Sequence, residues 1–160
     1  MTKTARDTKT IEKIKESIIA RAVEIINAEG FARMTMRKIA SKNGMSATNL
    51  YNYFSSKDEI YINILIRGFR LLHERLRSVF DEHDEPLARG RKFIMAYLTF
   101  GIQNYNYYEI MFSPALPKYN DYVGTPLPII DTGYTYSWRQ MEAAATEGFG
   151  NLDSAARMNA

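Results

Sequence analysis

The chain has 160 residues, of which 46% are hydrophobic and 24% are charged, and it contains no cysteine. This composition is that of a folded globular protein, so it excludes a wholly disordered chain and a disulfide framework. No apolar run reaches the ~20 residues that span a bilayer, and the first ten residues lack the apolar stretch of a signal peptide, so we expect a cytoplasmic protein without a membrane segment.

Charge is distributed unevenly along the chain. Residues 1–57 carry 11 Lys and Arg against 5 Asp and Glu, a net charge of +6, whereas residues 58–160 carry 10 against 13, a net charge of −3. A basic first third is expected of a segment that meets a polyanion. Lysines that merely keep the N-terminal tail soluble would give the same balance, so charge alone does not identify the partner.

The first predicted element is an amphipathic helix over residues 10–29, where apolar residues recur at spacings of three and four. Gly30 follows as a left-handed terminator, and Phe31 is available to pack against the last turn. This helix should present one apolar face to the elements that follow it.

Two short helices are predicted next. Thr35 caps the first, which ends near Gly44, and Ser46 caps the second. Leu50 and Phe54 lie four residues apart in the second of them and should point inward. The positions predicted to face outward are Ala47, Thr48, Asn49, Asn52 and Tyr53. Two short helices separated by a glycine-containing turn make a helix-turn-helix.

Further helices are predicted downstream. A capping box formed by Ser56 and Glu59 begins a long fourth helix. Pro86 is well placed as the first residue of a fifth helix that ends near Asn104, and a short segment over residues 106–112 forms another.

Residues 113–133 contain four of the five prolines and form a long connection, after which helix resumes over residues 134–147. There is no alternating strand pattern. The predicted fold class is all-α: a three-helix helix-turn-helix DNA-binding domain at residues 1–57, then a helical ligand-binding and dimerisation domain at residues 58–160 that is C-terminally incomplete.

An ordered set of motifs occupies residues 31–60. It consists of a threonine that opens the second helix, Ile-Ala within it, Gly-Met-Ser in the turn, Leu-Tyr-x-x-Phe in the third helix, and Ser-Lys-Asp-Glu at the start of the fourth. These motifs resemble the TetR family of one-component transcriptional regulators. The resemblance implies a regulator, most often a repressor, that binds a palindromic double-stranded DNA operator as a homodimer.

The third helix is expected to present its outward residues to the major groove. Asn49 or Asn52 could pair with an adenine edge, and Ala47 or the methyl group of Thr48 could touch a thymine methyl. Many family members carry glycine where this chain has Thr48, so which residue reads which base stays open. Residues predicted to contact phosphates are Thr35, Arg37, Ser46, Tyr51, Tyr53 and Lys57.

Eleven aromatic residues lie between positions 97 and 138. That density suits a pocket with an apolar body and a few polar anchors, although core packing is the simpler explanation of any single tyrosine. Residues 104–114 resemble a motif of one C-terminal subgroup of the family. The residues expected to line a pocket for a small hydrophobic or aromatic effector are Phe69, Leu72, Tyr97, Phe100, Tyr108, Phe112, Trp138 and Met141.

An enzyme is not expected, because the chain has no cysteine, no glycine-rich phosphate loop and only two histidines, His73 and His83. His83 lies among four acidic residues, a run more typical of a solvated turn than of a cation site. We therefore expect no metal and no cofactor. The alternative to a ligand-responsive repressor is a DNA-binding protein without a small-molecule ligand, either structural or constitutive.

The resemblance also implies two final helices that form a four-helix bundle with a partner subunit. Residues 151–160 look like the opening of the eighth helix. We therefore expect the chain to be a fragment or to dimerise through another surface.

Overall fold

The computed structural model describes residues 8–79 and 84–122. Within them the elements are α1 (Thr8–Glu29), a 3₁₀ turn (Phe31–Arg33), α2 (Met36–Lys42), α3 (Ala47–Leu50), α4 (Lys57–Arg77), α5 (Pro86–Gln103), α6 (Tyr105–Phe112) and a second 3₁₀ turn (Tyr119–Tyr122). No strand occurs in these ranges, and the all-α prediction is confirmed. The helix predicted over 134–147 and the helix opening at 151–160 lie outside the described residues.

The three predicted helix caps are confirmed. The side-chain oxygens of Thr35, Ser46 and Ser56 each accept a hydrogen bond from the backbone N–H three residues ahead, at 3.2, 3.1 and 3.1 Å. The return bond of the capping box differs from the prediction. The carboxylate of Glu59 accepts from the backbone N–H and the hydroxyl of Ser55, both at 2.6 Å, rather than from Ser56.

Gly30 and Gly44 are the described residues with positive φ, at 87° and 65°. Gly44 forms the turn between α2 and α3, as predicted. Gly30 has ψ 161°, so it is not in the left-handed helical region, and that detail of the prediction is wrong. Its N–H still closes α1 by donating to Ile26 at 2.8 Å, and its extended ψ sends the chain directly into the 3₁₀ turn.

One continuous core connects the N-terminal helices to the rest of the chain. Ile18 and Ala22 of α1, Ile39 of α2 and Leu50 of α3 are fully or almost fully buried in it. Helix α4 joins this core, and α1, α5 and α6 all pack against it. Tyr61 and Ile62, near the start of α4, are fully buried as well.

The fifth helix begins at Pro86, as predicted. It buries Phe93, Ala96 and Phe100, whereas Ile102 on the opposite side is 81% exposed. Both sides of α5 are apolar, so the sequence pattern predicts the helix without indicating which side is buried. No helix of the described part is both long and apolar enough to cross a membrane.

Candidate nucleic-acid interface and effector region

The turn between α2 and α3 is held by backbone and side-chain hydrogen bonds. The N–H of Met45 donates to the carbonyl of Ala40 at 3.0 Å. Ser17 of α1 donates its hydroxyl to Oδ1 of Asn43 at 3.0 Å, and Nδ2 of Asn43 donates to the carbonyl of Ile39 at 2.9 Å. The turn is therefore anchored to α1 as well as to α2, which fixes the position of α3.

Three of the predicted base-reading residues lie together on the outer side of α3 and of the turn that follows it. Thr48 and Asn52 are exposed, and Asn49 is half-buried. Nδ2 of Asn52 donates to Oδ1 of Asn49 at 3.3 Å. The pair leaves the Nδ2 hydrogens of Asn49 and the Oδ1 of Asn52 for an outside partner, the donor and acceptor needed to read an adenine edge.

Two residues predicted to face outward do not do so fully. Ala47 and Tyr53 are half-buried and pack against the core, and that part of the prediction is wrong. For Tyr53 the reason is that α3 has only 4 residues and a tighter turn follows, in which the N–H of Tyr53 donates to the carbonyl of Leu50 at 2.9 Å. This turn directs Tyr53 toward the core, whereas Tyr51 is 54% exposed.

The predicted phosphate-contacting residues surround α3. Thr35, Arg37 and Ser46 are exposed. The oxygens of Thr35 and Ser46 accept from helix N–H groups, so their hydroxyl hydrogens are still able to donate to a phosphate. Lys38, by contrast, pairs with Glu29, and this hydrogen bond lowers the pKa of the Glu29 carboxyl.

Lys57 lies in the first turn of α4, where the helix dipole opposes a positive charge. Its Nζ lies 4.7 Å from the centroid of the Phe31 ring. The electron-rich face of that ring offsets part of the unfavourable dipole. Lys57 is half-buried and still reaches the surface beside the helix-turn-helix.

Four of the predicted effector-contacting residues form one aromatic cluster between α4, α5 and α6: Phe69, Tyr97, Tyr108 and Phe112. The ring centroids of Tyr108 and Phe112 are 4.8 Å apart, and Phe112 lies 6.1 Å from Phe69 and 6.2 Å from Tyr97. Leu72 and Phe100 are each only 1% exposed, within the adjoining core. Trp138 and Met141 lie outside the described residues.

The polar groups of this cluster are two tyrosine hydroxyls. Tyr97 donates its hydroxyl to that of Tyr108 at 3.4 Å. Burial, together with this hydrogen bond, raises the pKa of Tyr97 to about 12. A hydroxyl pair within an otherwise apolar cluster suits an apolar ligand with one hydrogen-bonding group.

A further contact region, which sequence reasoning missed, joins the connection after α6 to the start of α4. Tyr61 donates its hydroxyl to the carbonyl of Pro117 at 2.8 Å, and Tyr122 donates to Asp58 at 3.4 Å. The ring of Tyr61 lies 4.6 Å from that of Phe31. Burial raises the pKa of Tyr61 well above its ordinary value. No periodic pattern could indicate a contact between residues 56 positions apart.

The comparisons with known proteins agree with the geometry of the N-terminal helices. Residues 18–64 match the family described as bacterial regulatory proteins, tetR family. The chain is similar to the nucleoid occlusion factor SlmA of Vibrio cholerae, with 29% identity over 113 residues that cover 71% of this chain and 58% of the relative.

It is also similar to the HTH-type transcriptional regulator RutR of Escherichia coli strain K12, with 30% identity over 91 residues, 57% of this chain and 42% of the relative. An uncharacterized HTH-type transcriptional regulator of Xanthobacter autotrophicus shares 34% identity over 76 residues, 48% of this chain and 35% of the relative. The chain spans about half the length of the curated relatives it matches.

Proposed function

Since this chain belongs to the TetR family of bacterial regulatory proteins, we propose that it is a DNA-binding transcriptional regulator that represses genes from a palindromic operator. The observation that carries the proposal is the capped helix-turn-helix, whose turn is anchored to α1. Thr48, Asn49 and Asn52 lie on the outer side of its second helix and of the turn after that helix. The regulator is neither an enzyme nor dependent on a cofactor, and it acts in the cytoplasm.

DNA binding is proposed to use two copies of the chain. Recognition helices of a homodimer meet successive major grooves about 34–36 Å apart, which explains why operators of this kind are palindromic. Asn49 and Asn52 read base edges, whereas Thr35, Arg37, Ser46, Tyr51 and Lys57 contact phosphates. Tyr53 and Ala47 support the helix from the core side, with a smaller share of DNA contact.

Regulation is proposed to come from a small hydrophobic or aromatic effector that binds at the aromatic cluster. Phe69 of this cluster lies on α4, the same helix that carries Lys57 and Tyr61 beside the DNA-binding helices. A ligand that favours one position of α4 shifts the spacing of the two recognition helices, with a coupling free energy of ~1–3 kcal/mol. The division into a DNA-binding part before residue 58 and a sensing part after it belongs to the same proposal.

A second candidate is a DNA-binding protein that needs no ligand. One relative is named a nucleoid occlusion factor rather than a transcriptional regulator. The rings of the aromatic cluster also contact one another at 4.8–6.2 Å, as a ligand-free core would. The two candidates differ in one measurement: only the ligand-responsive regulator changes its operator affinity when an aromatic effector binds.

The test starts from duplexes that the protein selects from a random pool. Asn49→Ala should weaken binding to the selected duplex by about tenfold to a hundredfold, because one base pair read by two hydrogen bonds is worth ~1–3 kcal/mol, and should leave a scrambled duplex unaffected. Asn27→Ala is the matched control, because Asn27 bonds to Val23 and Asn106 on another side of α1. Equal losses on both duplexes would remove Asn49 from the base-reading residues.

A further inference from the structure

A groove of about 500 Å³ lies between the C-terminal end of α4 and the middle of α5. Its lining residues are Arg75, Ser78, Val79, Lys92, Met95, Ala96 and Thr99. None of them belongs to the aromatic cluster or to the proposed DNA interface. The volume is within the ~300–1,000 Å³ typical of small-molecule sites.

One wall of the groove is apolar. Ala96 is buried, Val79 is half-buried, and Met95 is 61% exposed. A thioether side chain adapts its shape to an aliphatic or an aromatic body. This wall would therefore accept the apolar part of a ligand without selecting one exact shape.

The hydroxyl groups of the groove are already engaged as donors. Ser78 donates to the carbonyl of Arg75 at 2.7 Å, and Thr99 donates to the carbonyl of Met95 at 2.6 Å. Neither hydroxyl hydrogen is available for a ligand. The donors that remain are the charged groups of Arg75 and Lys92.

These two cations make the polar side of the groove positive. The guanidinium of Arg75 forms no ion pair or side-chain hydrogen bond anywhere in the part of the chain that the structure describes. Lys92 pairs with the two carboxylate oxygens of Asp84 at 2.6 and 2.9 Å. The Asp84 carboxylate thus neutralises Lys92, and Arg75 is available to bind an anion.

We propose that this groove binds an amphipathic organic anion, with its carboxylate or sulfonate on Arg75 and its apolar body against Val79, Met95 and Ala96. A guanidinium matches a carboxylate in two parallel hydrogen bonds, which fixes the headgroup. In this groove the ligand would contact both α4 and α5, at the end of α4 opposite Lys57. Its role as an effector rests on the proposed function.

Binding is tested on the protein alone by calorimetric titration with decanoate, and with decanol as the uncharged probe of equal chain length. Decanoate should bind more tightly than decanol. Arg75→Gln should lower the affinity for decanoate about tenfold, since a hydrogen bond between charged groups contributes ~1.5 kcal/mol or more. The same substitution should leave the affinity for decanol unchanged. Met95→Ala should lower the affinity for both probes, because both place their apolar chain against this wall.

Arg70→Gln is the matched control, because Arg70 is an exposed arginine of α4 that pairs with Glu74 outside the groove. Equal effects of Arg70→Gln and Arg75→Gln, or equal affinities for decanoate and decanol, would overturn the proposal. Operator binding is measured separately. Decanoate binding that depends on Arg75 supports the groove even if the chain selects no operator, an outcome that would refute the proposed function alone.

Discussion

The hydroxyl of Tyr61 donates a 2.8 Å hydrogen bond to the carbonyl of Pro117, across 56 positions of the chain. The same tyrosine packs its ring on Phe31, directly before α2. The connection that follows α6 is therefore attached to the end of α4 that supports the DNA-binding helices. Through this contact, a displacement of α6 is expected to reach the recognition helix.

Tyr61→Phe should lower the free energy of unfolding by ~1–2 kcal/mol, because the ring stays in place while the carbonyl of Pro117 loses its donor. Urea denaturation followed by circular dichroism measures the change. Tyr51→Phe is the control, since Tyr51 is 54% exposed and should shift stability by less than ~0.5 kcal/mol. Equal effects of the two substitutions would show that the hydrogen bond contributes nothing.

Ser46 is expected to have two separable roles. Ser46→Ala removes the cap of α3 and should cost ~1 kcal/mol of stability, whereas Ser46→Asp keeps an oxygen acceptor and should cost less than ~0.5 kcal/mol. On DNA the order reverses, because a carboxylate repels the phosphate, and Ser46→Asp should bind at least about tenfold more weakly than the alanine variant. Ser46→Asp that binds DNA like the unsubstituted protein would disprove the phosphate contact.

Substitutions of Lys57 and Phe31 test whether a cation that lies over an aromatic ring also contacts DNA. Lys57→Gln should change stability by less than ~0.5 kcal/mol, because it removes the contact with the Phe31 ring and the unfavourable dipole interaction together. It should reduce the salt dependence of DNA binding by about one unit in the log–log slope. Phe31→Leu removes the ring but keeps the charge of Lys57. Stability should therefore fall, whereas the salt dependence of DNA binding should not change. Lys57→Gln with an unchanged slope would exclude a phosphate contact.

Stability should decline at high pH, and two partly buried tyrosines contribute to this decline alongside Tyr61. Burial raises the pKa of Tyr97 and of Tyr122 to about 12, helped by the Tyr108 hydroxyl and by the Asp58 carboxylate respectively. The unfolded chain loses these protons near pH ~10, so their contribution is complete below that pH and is lost as pH rises toward the folded values.

Unfolding measured at several pH values from about 8 to 11 should show this decline, and Tyr122→Phe and Tyr97→Phe should each make it shallower. A decline of the same steepness in both variants and in the unsubstituted protein would contradict the pKa assignments.

Local features were predictable from the sequence because short-range chemistry determines them. The caps at Thr35, Ser46 and Ser56 depend on hydroxyl residues placed before helical segments, and the turn at Gly44 depends on a positive φ. Each of these features needs only a few neighbouring residues.

Features that depend on tertiary packing were predicted less well. The outward prediction for Tyr53 was wrong because a tighter turn follows α3. The burial of Tyr61 depends on Phe31 and on the connection after α6, both distant in sequence. The aromatic residues were expected to form a pocket, and four of them do meet in one cluster. Whether a ligand binds there depends on a cavity that composition does not specify.

Sequence-specific DNA binding is tested by two affinities of the protein at one salt concentration: its affinity for the duplex that it selects from a random pool, and its affinity for a scrambled duplex of the same composition. We predict a palindromic selected sequence that binds at least about a thousandfold more tightly than the scrambled one. Equal affinities for the two duplexes would show that the basic N-terminal helices bind DNA only as a polyanion, and would contradict the account.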